Sequence, residues 1–483
     1  SPGSHIPESN DHPDAWRIGP NGRNHAVKRT RTTLAVAAIS GLSLLLGACA
    51  QGSASQSGTS SQSSPTGDTS SSSSQSSSES SGSSSESSPA ASGSDAPADA
   101  VTGDVTYMEF SSNGGHEADL KKIVDAFESA NPGIKVTVQT LPYADYFTKL
   151  QTAIAGGTAA DAFELDYQHF VSYSASGALA PLSDVDPAPY KKSLIDAFNV
   201  GGKQFALPES FSDVVLFYNK DLFDKAGVAP PNADWTWADE NAAAKKLTDK
   251  AKGVWGDYQP ISYNEFYKVL AQNGGQFFNA DKTAATFASP QGIAAAHQLI
   301  DRSGTVMPTA ADGAGTPDFD TNLFKSGKLA MWHTGIWMFG ALKDVPFNWD
   351  IAVEPGNTNK ASAMFANSVA VSATSKNAAA AQKWLEFLTS SDAMVTARLA
   401  SGWELPPISD ATKLGAYLDQ PKPANRKAVF DALDNAVLPP TIERQQEMQD
   451  AIDNALTGAA AGHTKIEDSL PAAEKTVTSL LGG

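Results

Sequence analysis

Residues that could do chemistry are plentiful in this chain, but their spacing assigns no reaction. The 483 residues include 53 Asp and Glu, 8 His and one Cys. Scattered carboxylates could supply the acid pair of glycoside hydrolysis, yet no motif fixes such a pair. The sequence has no Cys/His metal cluster, no G-x-S-x-G motif and no phosphate loop, and its DGAGTPDFD segment lacks the oxygen spacing of a calcium loop. We therefore expect no catalytic residue, no bound metal and no cofactor.

The single thiol, Cys49, ends an apolar segment that follows a basic patch. Lys28, Arg29 and Arg31 precede the apolar residues 34–48. This order is the layout of a secretory signal, and about 15 apolar residues fall short of the roughly 20 that cross a bilayer as a helix. The tetrad LGAC at 46–49 resembles the bacterial lipobox, whose cysteine sulfur receives a diacylglycerol. We expect Cys49 to be a lipid anchor rather than an incidental thiol, and residues 1–49 to be a leader and lipoprotein signal peptide.

A serine-rich segment follows the cysteine. Residues 51–100 contain no Lys, Arg, aromatic or large aliphatic side chain. Such a composition buries too little apolar surface to offset the entropy of ordering, so residues 50–103 are predicted to be a disordered tether. About fifty flexible residues would hold the folded part roughly 40 Å from the membrane on average. An O-glycosylated stalk is an alternative use of the same composition.

Charge and length limit the partners and the size of the folded part. A net charge of −18 argues against nucleic acid or an anionic lipid surface as a partner. Roughly 380 residues remain after the tether, more than one ordinary core holds, so two lobes are expected.

The first elements of the folded part alternate between strand and helix patterns. Strands are predicted at 104–110, 134–140 and 161–166, with amphipathic helices at 120–130 and 143–157 between them. The first helix should bury Leu120, Ile123, Val124 and Phe127, and the second should bury a face that begins at Tyr143. The alternation predicts a parallel α/β sheet.

Several motifs, in order along the chain, resemble one known family. They are ALP at 206–208, YNKDLF at 218–223, WTW at 235–237, FKSGKLAMWHTGIW at 324–337, NAAAAQKWLEFLTSSDAM at 377–394 and GWELPP at 402–407. Together they resemble the bacterial extracellular solute-binding proteins of sugar ABC transporters, the maltose-binding-protein-like family. The resemblance extends over nearly all of residues 105–483.

The resemblance implies a two-lobed α/β fold of the periplasmic-binding-protein type, with a hinge and a ligand cleft between the lobes. The chain would cross between lobes about three times. Lobe 1 is predicted to comprise 104–211 plus 364–403, and lobe 2 to comprise 212–363 plus 404–483.

The family binds sugars in the cleft, which implies two kinds of site residue. Aromatic faces cover the C–H side of a sugar ring, and polar side chains satisfy its hydroxyls. Trp337 matches a family tryptophan that stacks on sugar, with core packing as the alternative. Trp403 lies where the late chain re-enters the hinge, so it lines the cleft or packs the hinge. Trp332 and His333 are expected to be structural.

The polar site residues are likewise implied by the resemblance, and each has a capping or hinge role as its alternative. Asp166, Tyr167 and Gln168 follow a strand, and Ser112, Asn113 and Gly114 form the first loop. Glu209 and Asp213 flank the first crossing between lobes, and Tyr263 and Asn264 match a ligand-contacting loop.

The function that follows is that of an extracellular receptor. We expect a monomeric, lipid-anchored bacterial lipoprotein on the extracellular face of the cell membrane. It would capture an oligosaccharide by hinge closure and deliver it to the permease subunits of an ABC importer. It would not be an enzyme. The alternatives are a secreted carbohydrate-active hydrolase and a cell-wall adhesin or stalk protein.

Overall fold

The computed structural model describes residues 101–482, so the predicted signal peptide, Cys49 and nearly all of the predicted tether lie outside the described residues. Its strands are β1 (Gly103–Glu109), β2 (Ile134–Thr140), β3 (Ala162–Asp166), β4 (Asn199–Val200), β5 (Lys203–Gln204), β6 (Ala206–Asn219), β7 (Met331–Gly335), β8 (Trp349–Ala352), β9 (Ser362–Val371) and β10 (Ala436–Val437). Its α-helices are α1 (Glu117–Ala130), α2 (Tyr143–Ala155), α3 (Tyr167–Ala175), α4 (Lys192–Asp196), α5 (Lys220–Ala226), α6 (Trp237–Leu247), α7 (Tyr263–Gln272), α8 (Pro290–Ile300), α9 (Phe319–Lys325), α10 (Ala378–Ser390), α11 (Asp392–Ser401), α12 (Gly415–Leu418), α13 (Lys427–Ala432), α14 (Gln445–Ala460) and α15 (Ile466–Leu481).

The first five elements, β1 to β3 with α1 and α2, are those that the sequence pattern predicts. In α1, the four predicted apolar residues are all buried, because their spacing of three and four places them on one face. The face of α2 differs from the prediction at its start: Tyr146 and Leu150 are buried, but Tyr143 is 50% exposed. Tyr143 is the first residue of the helix, and its ring packs edge-on against Phe110.

The sheet is mixed rather than wholly parallel. Strand β1 lies between β2 and β3 and is parallel to both, as predicted. Strand β9 then pairs antiparallel with β3 on one side and with β6 on the other. The predicted parallel arrangement is confirmed for β1, β2 and β3 and does not extend to β9, which joins the sheet from far along the chain and runs antiparallel to β3 and β6.

Two long strands connect the halves of the sheet. Residues Ala206–Asp213 of β6 pair with β9, whereas Val214–Asn219 pair with β7 and β8. The register of the β6–β9 pairing shifts between Pro208 and Ser210, which makes Glu209 a bulge residue. The predicted crossings near residues 211 and 363 fall within or beside these two strands, and the assignment of residues to lobes stays a prediction.

Two of the recognised motifs form helix caps. In YNKDLF, Asn219 ends β6 and caps α5 by accepting a hydrogen bond from the Leu222 amide at 3.1 Å. In WTW, Thr236 caps α6 and forms a reciprocal capping box with Asp239, which follows the motif. These residue types are needed there because the first amides of a helix have no partner within the helix.

The buried apolar residues of the described part of the chain form three clusters. The largest contains β1, β2, β3, β9 and helices α1 and α10, and extends into the second half of β6. A second is formed chiefly by α7, α8, α14 and α15, and a third lies among β6, β7, α5 and α6.

Gly292, at the third position of α8, is expected to tolerate no side chain. A Cβ there would lie 1.6 Å from the carbonyl oxygen of Phe287. Helix propensity alone would make Gly292→Ala stabilising by about 1 kcal/mol, whereas this clash should make it destabilising by roughly 1 to 3 kcal/mol. Urea unfolding measures the sign.

Gly415→Ala is the matched control, because a Cβ at Gly415 would meet only Asp419 Oδ2, at 3.7 Å. That substitution should be neutral or stabilising by up to about 1 kcal/mol. Equal effects of the two substitutions would contradict the clash.

Candidate functional site

Three loops meet at one edge of the sheet. Because β1 is parallel to β2 and β3, the carboxyl ends of these strands lie together. The loop after β1 carries Ser111 and Ser112, the start of α2 after β2 carries Tyr143, and Asp166 ends β3. Ligands of α/β proteins commonly bind at this edge, outside the carboxyl ends of the strands.

Two buried carboxylates fix the first loop. Glu164 Oε2 accepts hydrogen bonds from the amides of Phe110 (2.9 Å) and Ser111 (3.0 Å). Glu109 accepts from the Ser112 amide (2.9 Å) and hydroxyl (2.7 Å). The predicted site residue Ser112 is therefore buried and its hydroxyl serves the loop itself.

Of the predicted first-loop site residues, Asn113 and Gly114 are exposed, as is the neighbouring Gly115. Gly114 has a left-handed φ of 92°, and its amide donates to Glu117 Oε1 at 2.8 Å. These two residues are the part of the predicted first-loop site that faces solvent.

The loop after β3 joins a polar residue to an exposed aromatic ring. Asp166 caps α3, with Oδ1 accepting from the amide and contacting the ring Nδ1 of His169, both at 2.8 Å. Its Oδ2 accepts from the Tyr143 hydroxyl at 2.8 Å, and the Tyr143 ring packs edge-on against Phe110. Gln168 is exposed, whereas the Tyr167 ring is partly buried against Phe198.

Trp403 packs between the late chain and the first loop. It is 6% exposed, and its indole Nε1 donates to the Ser111 carbonyl at 3.1 Å. The Arg398 guanidinium lies 4.1 Å from its ring centroid, and the His116 ring is stacked parallel to it at 5.2 Å. Trp403 thus fixes the position of the first loop and leaves little of its own surface exposed.

Trp337 lies on the surface where the long strands meet. It belongs to a short 3-10 turn, Ile336–Met338, that follows β7, and it is 43% exposed. A Cβ on Gly335 would lie 1.9 Å from its ring, so the ring rests on the glycine backbone. The Trp337 ring centroid is 5.8 Å from that of Phe365, in an edge-on arrangement.

Phe365 and Ser212 complete this surface, which we call the aromatic floor (Ser212, Trp337 and Phe365). They are direct partners in the β6–β9 register, and each is the one position of its strand that is not buried. Neither residue was predicted. Both strands are covered on both faces, so the alternation that reveals a surface position is missing.

The two predicted acids on β6 are both buried. Glu209 Oε1 accepts from the Arg398 guanidinium at 2.6 Å, and burial raises the pKa of Glu209 to about 7 although Arg398 opposes the rise. Asp213 accepts no hydrogen bond from the residues that the structure describes, and burial and then the charge of Glu354 raise its pKa well above the usual value.

The predicted pair on α7, in contrast, is divided between the core and the surface. Tyr263 is buried in the second cluster, where its hydroxyl donates to the Pro440 carbonyl at 2.5 Å. Asn264 is exposed. Because Tyr263 is buried, it offers no exposed surface to the aromatic floor or to the three loops.

Trp332 and His333 have the structural roles that were expected. Trp332 is buried and donates from Nε1 to Asp320 at 3.0 Å. The ring nitrogens of His333 contact Glu354 (2.6 Å) and Glu240 (2.7 Å). Such acid and imidazole groups can hold a metal, but here Arg302 pairs with Glu240 and Lys268 pairs with Glu354, so the carboxylates already have cationic partners.

Within residues 101–482, no helix is both long enough and apolar enough to span a bilayer.

Comparisons with known proteins agree with the fold. Residues 111–395 match the family described as bacterial extracellular solute-binding protein. The ABC substrate-binding protein Lmo0181 from Listeria monocytogenes, solved in complex with cycloalternan, is 45% identical, with a TM-score of 0.64 over 78% of this chain and 99% of that chain.

Curated relatives agree. A maltooligosaccharide ABC transporter solute-binding lipoprotein of Streptococcus pneumoniae is 25% identical over 80% of this chain and 90% of its own length. The galactooligosaccharide-binding protein of Bacillus subtilis is 28% identical over 74% of this chain and 85% of its own length. The resemblance seen in the sequence motifs is therefore confirmed: the chain belongs to the bacterial extracellular solute-binding protein family and has its two-lobed α/β fold.

Proposed function

We propose that this protein is the lipid-anchored, extracellular receptor of an ABC importer and that it binds a neutral oligosaccharide. The observation that carries the proposal is the aromatic floor. The exposed ring of Trp337 packs beside Phe365, which is paired with Ser212. Phe365 and Ser212 lie on β9 and β6, the two strands that both halves of the sheet share. An exposed aromatic face is suited to the C–H side of a sugar ring, and a nearby hydroxyl to its polar rim.

The relatives indicate which sugars to test first. The 45% identical Listeria protein was solved with cycloalternan, and the curated relatives are named for maltooligosaccharides and galactooligosaccharides. The acids near the loops, Asp166 among them, and the net charge of −18 disfavour uronic acids. We therefore propose a neutral oligosaccharide, with cycloalternan as the first candidate.

Hinge closure is the proposed mechanism. The loops after β1, β2 and β3 belong to one half of the sheet, and Trp337 follows β7 in the other half. A ligand that contacts both groups binds the closed form more tightly than the open form and so shifts the population toward closure.

A ligand panel tests the function. Cycloalternan, maltooligosaccharides, galactooligosaccharides and an oligouronate are each added to the protein in a thermal-shift assay. A ligand at about 100 times its dissociation constant should add about 2.7 kcal/mol to the free energy of unfolding. We expect this effect from a neutral oligosaccharide only, together with a smaller radius of gyration by small-angle scattering.

Two results would contradict the proposal. One is the absence of a shift with every neutral oligosaccharide, and the other is the release of shorter sugars during incubation, which would indicate the hydrolase alternative.

Trp337→Ala should weaken ligand binding without unfolding the protein. A tryptophan contact buries about 150 to 250 Å², so its loss should weaken affinity at least about tenfold, or 1.4 kcal/mol. Because the ring is 43% exposed, the melting temperature of the free protein should stay near that of the wild type. Calorimetric titration and thermal melting measure the two effects.

Trp384→Ala is the control, since Trp384 is fully buried against Tyr107 and Phe127. It should lower the stability of the free protein by about 3 to 5 kcal/mol and leave the affinity per folded molecule unchanged. The same pattern in Trp337→Ala would remove Trp337 from the site.

Cys49→Ala should release the protein from the membrane and leave ligand binding intact. Acyl chains contribute about 0.8 kcal/mol per buried CH₂, and removal of the sulfur removes their attachment point. Cell fractionation and a binding assay on the released protein measure both outcomes. Ser53→Ala should remain in the membrane fraction, and loss of binding in the Cys49 variant would contradict independent anchor and receptor parts.

A further inference from the structure

Three glutamates form a buried cluster directly behind the first loop. Glu109 ends β1, Glu164 lies in β3, and Glu209 is the bulge residue of β6, and all three are buried. A bulge turns a side chain away from the direction that regular pairing would give it. We call Glu109, Glu164 and Glu209 the carboxylate cluster.

Most oxygens of the carboxylate cluster have a donor. Glu109 accepts from the amide and hydroxyl of Ser112 and from the Thr140 hydroxyl. Glu164 Oε2 accepts from two loop amides, and Glu209 Oε1 accepts from Arg398. These donors satisfy both oxygens of Glu109 and one oxygen each of Glu164 and Glu209.

The two remaining oxygens of the cluster, Glu164 Oε1 and Glu209 Oε2, are buried and receive no hydrogen bond from a donor among the described residues. Strands β3 and β6 both pair with β9 at Ser368, through the neighbouring residues Leu165 and Pro208, and the Glu164 and Glu209 side chains are within hydrogen-bonding reach of one another. An ionised carboxylate only accepts hydrogen bonds, so two carboxylates can bond to each other only through a proton. One proton between these two oxygens satisfies both.

We propose that Glu164 carries a proton that it shares with Glu209, and that Glu164 is thereby a positioning residue for the ligand-binding loop. The proposal rests on the proposed function for its ligand. The contacts form a closed circuit, since Glu164 holds the amides of the first loop and the Ser111 carbonyl accepts from Trp403. Trp403 in turn packs on Arg398, which pairs with Glu209.

The surrounding charges support the shared proton. Burial raises the pKa of Glu164 well above its usual range, and the charges of Glu209, Glu109 and Glu404 raise it further. Tyr107 and Tyr146 also face the cluster, and burial together with these carboxylates raises their pKa values. Beyond Trp403 lie His116 and its partner Asp119. Arg398 is the cation in direct contact with the cluster.

The direction of the pH effect follows from these shifts. The folded protein holds a proton that an unfolded glutamate releases near its ordinary pKa of 4.5. Stability therefore falls as pH rises from about 5 through the folded pKa values. With both side chains ionised, two adjacent buried charges would repel and displace the loop and Trp403, so affinity for a neutral ligand should fall as well.

Glu164→Gln tests the proposal. The glutamine amide oxygen can accept from the loop amides, and its NH₂ group can donate to Glu209 at any pH, because this donor does not titrate. Wild-type affinity for cycloalternan, or for whichever neutral oligosaccharide binds, should fall about tenfold or more between pH 6 and 10, which corresponds to about one pKa unit of linkage. Glu164→Gln should match the wild type at pH 6 within about threefold and show a flatter profile. Glu128→Gln, a surface carboxylate outside the site, should follow the wild-type profile.

Infrared difference spectroscopy of the ligand-free protein supplies a test that needs no ligand. A protonated Glu164 should give a C=O stretching band at pH 7 that shifts in D₂O and appears in the wild-type minus Glu164→Gln difference spectrum, whereas any band from buried Asp213 is common to both proteins and cancels. Absence of this band from the difference spectrum would overturn the shared proton. Coincident pH profiles of wild type and Glu164→Gln would overturn the positioning role. If no neutral oligosaccharide binds at any pH, the proposed function and the positioning role fail together, while the infrared band still decides the shared proton.

Discussion

Strands β6 and β9 pair antiparallel along Ala206–Asp213 and Met364–Ala370, and both strands continue into other parts of the structure. Strand β6 runs on to pair with β7 and β8, and β9 pairs on its other side with β3. Their register sets Ser212 opposite Phe365 and so creates the one opening in two otherwise buried strands. A slip of one residue would turn both side chains to the other face, because side chains alternate along a strand.

Local periodicity was enough to predict the first part of the fold. The faces of α1 and the strands β1, β2 and β3 follow from residues close together in the chain, where apolar spacing alone decides which side is buried. The direction of β9 was not predictable in this way, since it depends on pairing with β3 across about 200 residues. The candidate site follows the same division. Trp337 was predicted from its motif, whereas the exposure of Phe365 and Tyr143 depends on tertiary packing, and Glu164 resembles any other acid in a strand.

Two buried charge clusters differ in how their charge is balanced. In the half that contains β7, the carboxylates Glu240, Asp257, Glu265 and Glu354 are joined to Arg302, Lys268 and His333. Burial disfavours the charged forms of His333 and Lys268, but the adjacent carboxylates raise the pKa of both, which favours their cationic forms. The carboxylate cluster has Arg398 as its paired cation. Buried charge without a partner is strongly unfavourable, and the shared proton that we propose would lower the charge of the carboxylate cluster.

The exposure of Trp337 also has an optical consequence. Among the described residues, Trp337 is the one tryptophan whose side chain is exposed, while Trp332, Trp384 and Trp403 are buried. Among the tryptophans of residues 101–482, its indole is therefore the one most accessible to a dissolved collisional quencher such as acrylamide. Any molecule that covers the aromatic floor would shield this fluorophore and leave the buried ones unchanged. Trp337 is consequently a label-free fluorescent reporter of whatever covers the aromatic floor.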